Sequence, residues 1–221
     1  MSIKGYYINL KEYPDRNANI EQLKIDYPFF QNLERFDAVK YTPGSIGRSV
    51  SHIHALYDIL SSFDDQNVGI DDLKGYSMII EDDFTILNSD HFSQFINSFD
   101  IIKDDLNWDI IILTPLGISE PHTQFYTDNH FKRIKQCETI TGYIIRNKHL
   151  VTLASECFLK GLREMLEGGD ESLYAVDQVW KQMQETHNFI FYEKIYAGQL
   201  PGYSSVQDKI VDYNDAYLAQ V

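Results

Sequence analysis

Short apolar runs alternate with segments of helical periodicity along most of the chain, and this alternation restricts the fold more than any other feature. Strands are predicted in segments 5–10, 33–39, 75–84, 108–115 and 188–197, and segments 133–136 and 141–146 are predicted as a pair of strands. Helices are predicted from Pro14 to before Pro28, and in segments 47–63, 88–99, 147–166 and 175–185. The tail from Gly198 reads as irregular. Continuous apolar strands separated by helices are typical of a mainly parallel sheet, so the sequence predicts an α/β fold.

Length and composition favour a single globular domain of 221 residues, with 43% hydrophobic and 24% charged residues. The formal net charge of -14 opposes binding to duplex DNA or anionic lipid. No segment approaches the roughly 20 apolar residues of a membrane helix, and the N-terminus lacks a signal-peptide pattern. Cys137 and Cys157 fit neither a metal motif nor a disulfide framework, so a cytoplasmic location is expected.

The stretch MIIEDDF, residues 78–84, ends an apolar strand with three carboxylates. Ligands of mainly parallel sheets bind at the carboxyl ends of the strands, which is where these acids fall. Alternation along a strand directs Glu81 and Asp83 to one face and Asp82 to the other. Two carboxylates on one face repel each other unless a cation lies between them, and hard oxygen ligands suit Mg²⁺, Mn²⁺ or Ca²⁺. The alternative is an exposed acidic turn after the strand.

A metal at a strand end suits a substrate that carries a diphosphate, because the metal neutralises the phosphates and the charge of a departing diphosphate. Two basic residues stand near other strand ends: Arg16 follows the first strand and Arg48 lies at the start of the long helix. Either arginine is equally well explained as a solvated surface residue.

Several segments, in order and over nearly the whole chain, resemble glycosyltransferase family 25, which includes lipooligosaccharide and collagen galactosyltransferases. The similar segments are YYINLKEYPDR, ERFDAV, TPGSIGRSVSHIHALYDIL, MIIEDDF, TGYIIRNKHL, AVDQVW and PGYSSVQ. The resemblance implies a GT-A-like (Rossmann-like) fold in one domain, residues 1–221. It also implies a nucleotide-sugar-binding half at about 1–115 and an acceptor-binding half at about 116–221.

The resemblance further implies transfer of a hexose, typically galactose, from a UDP-sugar to a hydroxyl of a glycan or glycoprotein, with inversion. The chain departs from the family pattern at two positions. Arg48 stands where many members carry a small residue or Cys, and Ser205 stands where members often have Asp. Asp208 lies close to Ser205 in the sequence but is a weak substitute for that acid.

Roles follow for named residues when the resemblance is combined with the strand-end positions. Asp83 is expected to bind Mn²⁺ or Mg²⁺, with Glu81 or Asp82 assisting. The expected donor-binding residues are Asn9, Leu10, Arg16, Ser51, His52, Glu81, Asp82, Thr141 and Tyr143. For His52 the alternative is a buried, hydrogen-bonded histidine, and for Tyr143 it is core packing.

Asp177 is the expected base that removes the proton of the acceptor hydroxyl, although its place at a helix start also fits a capping role. Asp170 and Glu171 are reserves, because the glycines Gly168 and Gly169 would permit that loop to close over the site. Trp180 is expected in the core rather than against the acceptor. Two other functions remain open: another Mg²⁺-dependent enzyme of phosphate chemistry, and an inactive module that binds carbohydrate or nucleotide-sugar.

Overall fold

The computed structural model describes residues 3–63, 69, 73–120, 130–204 and 209–218. Within them, the strands are β1 (Gly5–Asn9), β2 (Leu33–Asp37), β3 (Tyr76–Glu81), β4 (Phe84–Ile86), β5 (Ile110–Ile112), β6 (Ile118–Glu120), β7 (Phe131–Lys135), β8 (Gly142–Arg146), β9 (Phe189–Tyr192), β10 (Ala197–Gln199), β11 (Gly202–Ser204) and β12 (Lys209–Val211). The α-helices are α1 (Pro14–Asp26), α2 (Gly44–Ser61), α3 (Ser89–Ile102), α4 (Leu159–Leu166), α5 (Glu171–Tyr174), α6 (Val176–Thr186) and α7 (Asn214–Leu218). Short 3-10 helices span Pro28–Phe30 and Asn147–His149, and a π-helix spans Thr152–Phe158.

The central sheet has eight strands in the order β2-β1-β3-β8-β5-β9-β7-β6. The pairs β2/β1, β1/β3 and β5/β9 are parallel, and the other four neighbouring pairs are antiparallel. Six of the eight strands therefore run in one direction, with only β8 and β7 reversed. The predicted class, a mixed and mainly parallel α/β sheet flanked by helices, is confirmed.

Helices cover both faces of this sheet, which explains why its strands are apolar on both sides. One buried cluster joins Ile79 to residues of α2, α4 and α6, including Leu56 and Val179. The opposite cluster joins Met78 and Ile80 to residues of α1 and α3. Because consecutive strand residues face opposite layers, Glu81 points toward the α2 side of the sheet.

Three predictions about secondary structure were wrong. Segments 133–136 and 141–146 are both in strands but do not pair, because the connection between them bonds elsewhere: Glu138 N donates to Leu116 O and Cys137 N to Gln184 Oε1. Segment 147–166 is not one α-helix, because its first half forms 3-10 and π turns. The tail from Gly198 is not irregular, since β10 pairs with β4 and β11 with β12.

Helix α2 begins at Gly44, three residues before the predicted start, with Pro43 as its N-cap. Gly47 therefore lies inside the helix, where an added Cβ would be 2.5 Å from Val39 O. This close approach places the next residue, Arg48, beside the end of β3. Asn88 is the N-cap of α3, and its side chain accepts a hydrogen bond from His91 N.

No helix among the described residues combines the length and the apolar character required to cross a membrane. The predicted halves, about 1–115 and about 116–221, share the one central sheet, since β8 from the second half lies between β3 and β5 from the first.

Candidate active site

A cavity of about 860 Å³ opens at the carboxyl ends of β1 and β3, next to the start of α6. Its size falls in the range of small-molecule sites. The predicted site residues that line it are Leu10, Arg16, Ser51, Glu81, Asp82, Asp83, Thr141 and Asp177. The remaining predicted site residues, Asn9, His52 and Tyr143, are buried behind its wall. Most of the residues selected from the sequence therefore surround one cavity.

Two partners hold Asp82 at the carboxyl end of β1. Asn9 Nδ2 donates a hydrogen bond of 2.8 Å to Asp82 Oδ2, and Arg16 Nη1 lies 3.1 Å from Oδ1. Burial raises the pKa of Asp82, although Arg16 and Asn9 oppose that rise. Asn9 is saturated, because it also accepts from Arg35 Nε and donates to Tyr13 O. In this structure Asn9 contacts Asp82 and leaves the cavity surface to other residues.

Arg16 connects the strand end to the C-terminal hairpin. Its Nη2 donates a hydrogen bond of 2.7 Å to Tyr203 O in β11, and its guanidinium lies over the ring of Tyr13. The surface alternative for Arg16 is wrong, since the group is half-buried between Asp82 and the hairpin. It is a cation within the cavity wall.

Glu81 is fully engaged by protein groups. Arg48 Nε and Nη2 donate to its two oxygens at 2.5 and 2.8 Å, and His52 Nε2 lies 3.1 Å from Oε1. Thr141 Oγ1 donates to Oε2 at 3.4 Å. Burial alone would raise the pKa of Glu81, but the charge of Arg48 and the bonds from His52 and Arg48 hold it well below its usual range. Glu81 is therefore an anion paired with a guanidinium.

Asp177 lies in the first turn of α6 and contacts Arg48 from the other side. Arg48 Nη1 donates a hydrogen bond of 3.1 Å to Asp177 Oδ2. The capping alternative is wrong, because the N-cap of α6 is Ala175 and no side chain caps the helix. Among the described residues, no other side chain is hydrogen-bonded to the Asp177 carboxylate, and Asp177 lines the cavity.

Asp83 has the least satisfied carboxylate of the site. Its Oδ1 is buried without a hydrogen-bond partner, and Gln199 Nε2 donates weakly to Oδ2 at 3.3 Å. Burial, together with the negative charges of Glu81 and Asp82, raises the pKa of Asp83 to about 7. An unpartnered carboxylate oxygen in an acidic wall is the environment that a cation would satisfy.

The residues present fit a divalent ion that is held by one carboxylate and by substrate phosphates, as Mg²⁺ often is. Among the described residues, no group of three His, Cys, Asp or Glu side chains could hold a metal alone. Asp83 could supply the single carboxylate. Glu81 leaves no oxygen for an ion in this structure, because Arg48, His52 and Thr141 occupy both.

The other predicted residues have plain roles in this geometry. Ser51 Oγ donates to Gly47 O within α2 and accepts from Val39 N. Tyr143 is fully buried and bonds His52, so the core alternative describes its place. Trp180 is also fully buried, and its Nε1 donates to Cys137 O.

The loop that was expected to close over the site lies beside α2. Glu171 lines the cavity, and its Oε2 accepts a hydrogen bond of 2.5 Å from Ser45 Oγ. Asp170 caps α5 through Ser172 N instead of facing the cavity. Gly168 has a φ of +94°, which only glycine adopts readily. Closure of the loop stays a prediction.

Sequence reasoning did not select several residues of the cavity wall. Tyr41 and Tyr203, 51% and 42% exposed, line it, and Gln199 contacts Asp83. The only sequence signal for these tyrosines at the cavity was the high tyrosine content of the chain, 15 residues. Ser205 and Asp208, which mark the departure from the family pattern, lie outside the described residues.

No protein-family model matches the chain, and no curated protein is similar to it in sequence. Among solved structures, it is similar to a glycosyltransferase involved in the glycosylation of the major capsid of PBCV-1, with a TM-score of 0.46, 9% identity, and coverage of 92% of this chain and 96% of that one. It is also similar to an apo UDP-glucose pyrophosphorylase, with a TM-score of 0.44, 9% identity, and coverage of 97% and 79%. At these TM-scores the likenesses carry no weight for function, and family membership stays a prediction.

Proposed function

We propose that the chain is a metal-dependent glycosyltransferase that moves a hexose from a UDP-sugar to a hydroxyl of a glycan or glycoprotein. One observation carries the proposal: the carboxylate of Asp83, whose Oδ1 has no hydrogen-bond partner, the cation Arg16 and the carboxylate of Asp177 line one cavity at the carboxyl edge of the sheet. Donor, ion and base would meet there.

The charge of the cavity supports a metal requirement. Among the residues that the structure describes, six carboxylates line it, namely Glu81, Asp82, Asp83, Glu138, Glu171 and Asp177, against three cations, Arg16, Lys40 and Arg48. When all six carboxylates are ionised, these residues carry three more negative charges than positive ones, and a bare diphosphate would be repelled. A divalent ion on Asp83, when bound, would neutralise the diphosphate and stabilise the charge that develops on the leaving group.

Arg16 would bind a phosphate oxygen in addition to its protein partners. A guanidinium has five N–H donors, and the hydrogen bonds of Arg16 to Asp82 and to Tyr203 O use two of them. Asn9 holds Asp82 from behind the wall, and Asp82 in the wall holds Arg16, so these two residues fix the direction of the guanidinium. Leu10 and Thr141 would border the nucleotide and the sugar.

Asp177 would act as the base. The acceptor oxygen attacks the anomeric carbon, the bond from that carbon to the diphosphate breaks, and UDP leaves with the electron pair. The acceptor proton passes to Asp177 Oδ1. No covalent intermediate with the enzyme is needed for inversion, and the transition state would have oxocarbenium character. The choice of UDP, galactose and inversion is supported by the family resemblance alone.

The test is release of UDP and transfer of sugar from a panel of UDP-, GDP- and dTDP-hexoses, with Mn²⁺ or with EDTA. The proposal expects metal-dependent UDP release from one UDP-sugar, a loss of about 100-fold or more in Asp177→Asn, and normal turnover in Arg163→Met, an exposed arginine on α4. Release of inorganic phosphate or pyrophosphate would indicate another phosphate chemistry instead. Binding of donor without turnover on any acceptor would indicate an inactive module.

A further inference from the structure

Five side chains form a continuous chain of contacts from the core to the cavity. Tyr143 Oη lies 3.2 Å from His52 Nδ1, and His52 Nε2 lies 3.1 Å from Glu81 Oε1. Arg48 then binds Glu81 through two bonds and Asp177 through one. The chain crosses from β8 through α2 and β3 to the start of α6. It therefore ties Asp177 to the centre of the sheet.

The direction of each hydrogen bond can be assigned. The Glu81 carboxylate is ionised and only accepts, so His52 Nε2 carries a hydrogen. Burial lowers the pKa of His52, so the ring is neutral and Nδ1 is an acceptor. Tyr143 must then donate its hydroxyl hydrogen to Nδ1. Every group between Tyr143 and Arg48 has a defined role, and Glu81 is fixed in orientation.

Arg48 presents its planar fork to two carboxylates from different elements. Nε and Nη2 face Glu81, Nη1 faces Asp177, and about one fifth of the side chain is exposed. A lysine could neutralise one of these acids but could not match both in fixed geometry. Arg48 binds Oδ2 of Asp177, a residue that lines the cavity, and makes no hydrogen bond to its Oδ1.

We propose that Arg48 is a positioning residue that orients Asp177 toward the acceptor hydroxyl, and that Glu81, His52 and Tyr143 act by fixing Arg48. This role rests on the proposed function, because it assigns Asp177 as the base. It also replaces direct donor contact as the role of His52 and Tyr143, which do not line the cavity. A misplacement of the base by about 1 Å can lower a rate by about 100-fold.

The alternative is that Arg48 only neutralises two partly buried acids and stabilises the fold. The two roles predict different combined effects on turnover when both Arg48 and Asp177 are replaced. If Arg48 acts through Asp177, its replacement lowers turnover only while that carboxylate is present, because residues that act as a unit are not additive. If Arg48 is merely structural, the two replacements lower turnover independently.

The test is a double-mutant cycle of Arg48→Lys and Asp177→Asn, read as single-turnover UDP release from the UDP-sugar with Mn²⁺, together with the Kd of the donor and the melting temperature. We expect Arg48→Lys to lower the release rate by about 100-fold, with the Kd changed by less than about 3-fold. In the Asp177→Asn background the same change should alter the rate by less than about 3-fold. Arg163→Met is the matched exposed control.

Tyr143→Phe provides a second variant should Arg48→Lys fail to fold, because it deletes one hydroxyl at the far end of the chain of contacts. It should lower the release rate by about 10-fold with an unchanged Kd, and should have no further effect on Asp177→Asn. Additive losses, or wild-type rates in both variants, would overturn the positioning role alone. Absence of UDP release in the wild-type protein would overturn the proposed function and this role together.

Discussion

Asn9 and Asp82 are joined by a hydrogen bond of 2.8 Å from Nδ2 to Oδ2, which links the ends of the neighbouring parallel strands β1 and β3. Asn9 is 1% exposed, so this bond is shielded from water. The other amide atom, Oδ1, accepts from Arg35 Nε. The bond from Asn9 holds Asp82 in place in the cavity wall, where Asp82 pairs with Arg16.

Asn9→Ala should lower the free energy of unfolding by about 1–3 kcal/mol, because it leaves Asp82 Oδ2 and Arg35 Nε without a buried partner. Urea unfolding checks this. Asn9→Asp should lower the free energy of unfolding further than Asn9→Ala above pH 5, because it places a second carboxylate against Asp82. A free energy of unfolding in Asn9→Ala equal to that of the wild type would mean that water replaces the amide.

Gly47→Ala should disrupt the cavity without touching a charged group. The added Cβ would lie 2.5 Å from Val39 O, which is backbone, so α2 must move away from the segment before it. We expect a loss of about 1–3 kcal/mol in the free energy of unfolding, together with slower UDP release, because Arg48 shifts with the helix. Normal stability in thermal unfolding would contradict the close packing described here.

Asp83 should make the stability of the metal-free protein depend on pH. Burial and the charges of Glu81 and Asp82 raise its pKa to about 7, whereas the unfolded chain restores a value of about 4. Between pH of about 4 and about 7, Asp83 is therefore protonated in the folded state and ionised in the unfolded state. The stabilisation is complete below pH of about 4 and is lost as pH rises through about 7.

Asp83→Asn removes this dependence. The free energy of unfolding can be measured with urea in EDTA. Relative to the wild type, that of the variant should increase by on the order of a few kcal/mol as pH rises from 4 to 7, and the difference should be constant above pH of about 8. Parallel stability curves for the two proteins across this range would show that Asp83 titrates normally.

Arg16→Met should weaken the binding of UDP by about 10-fold to 100-fold, because hydrogen bonds to charged groups contribute about 1.5–3 kcal/mol. Turnover at saturating donor should change much less, since Arg16 would hold the diphosphate equally in the ground state and transition state. Calorimetry with UDP gives the affinity, and Arg163→Met is again the control. An unchanged affinity would exclude Arg16 from the donor site.

The sequence allowed the sheet and the position of the acids to be predicted for simple physical reasons. Apolar runs such as Met78–Ile80 had to be buried on both faces, and period-two alternation correctly separated Glu81 from Asp82. The carboxyl edge of the parallel strands then marked the cavity. The strand ended at Glu81, however, so alternation did not extend to Asp83, which lies in the turn before β4.

The partners of the acids could not be predicted, because they are distant in sequence. Electrostatic repulsion between the acids predicted a cation beside Glu81, and a divalent ion was the candidate. The structure instead places the guanidinium of Arg48 beside Glu81, although the two residues are 33 positions apart in the sequence. Asp177 is 129 residues from the same arginine. Nothing in local composition or spacing encodes such contacts, nor the pairing of β10 with β4.

The most direct test of the central claim is calorimetric titration of the wild-type protein and Asp83→Asn with the panel of nucleotide-sugars, in Mn²⁺ and then in EDTA. We predict that one UDP-sugar binds the wild type only with metal, and that Asp83→Asn loses this binding while remaining folded. Binding that ignores both the metal and the substitution, or no binding at all, would contradict a metal–diphosphate site at the end of β3.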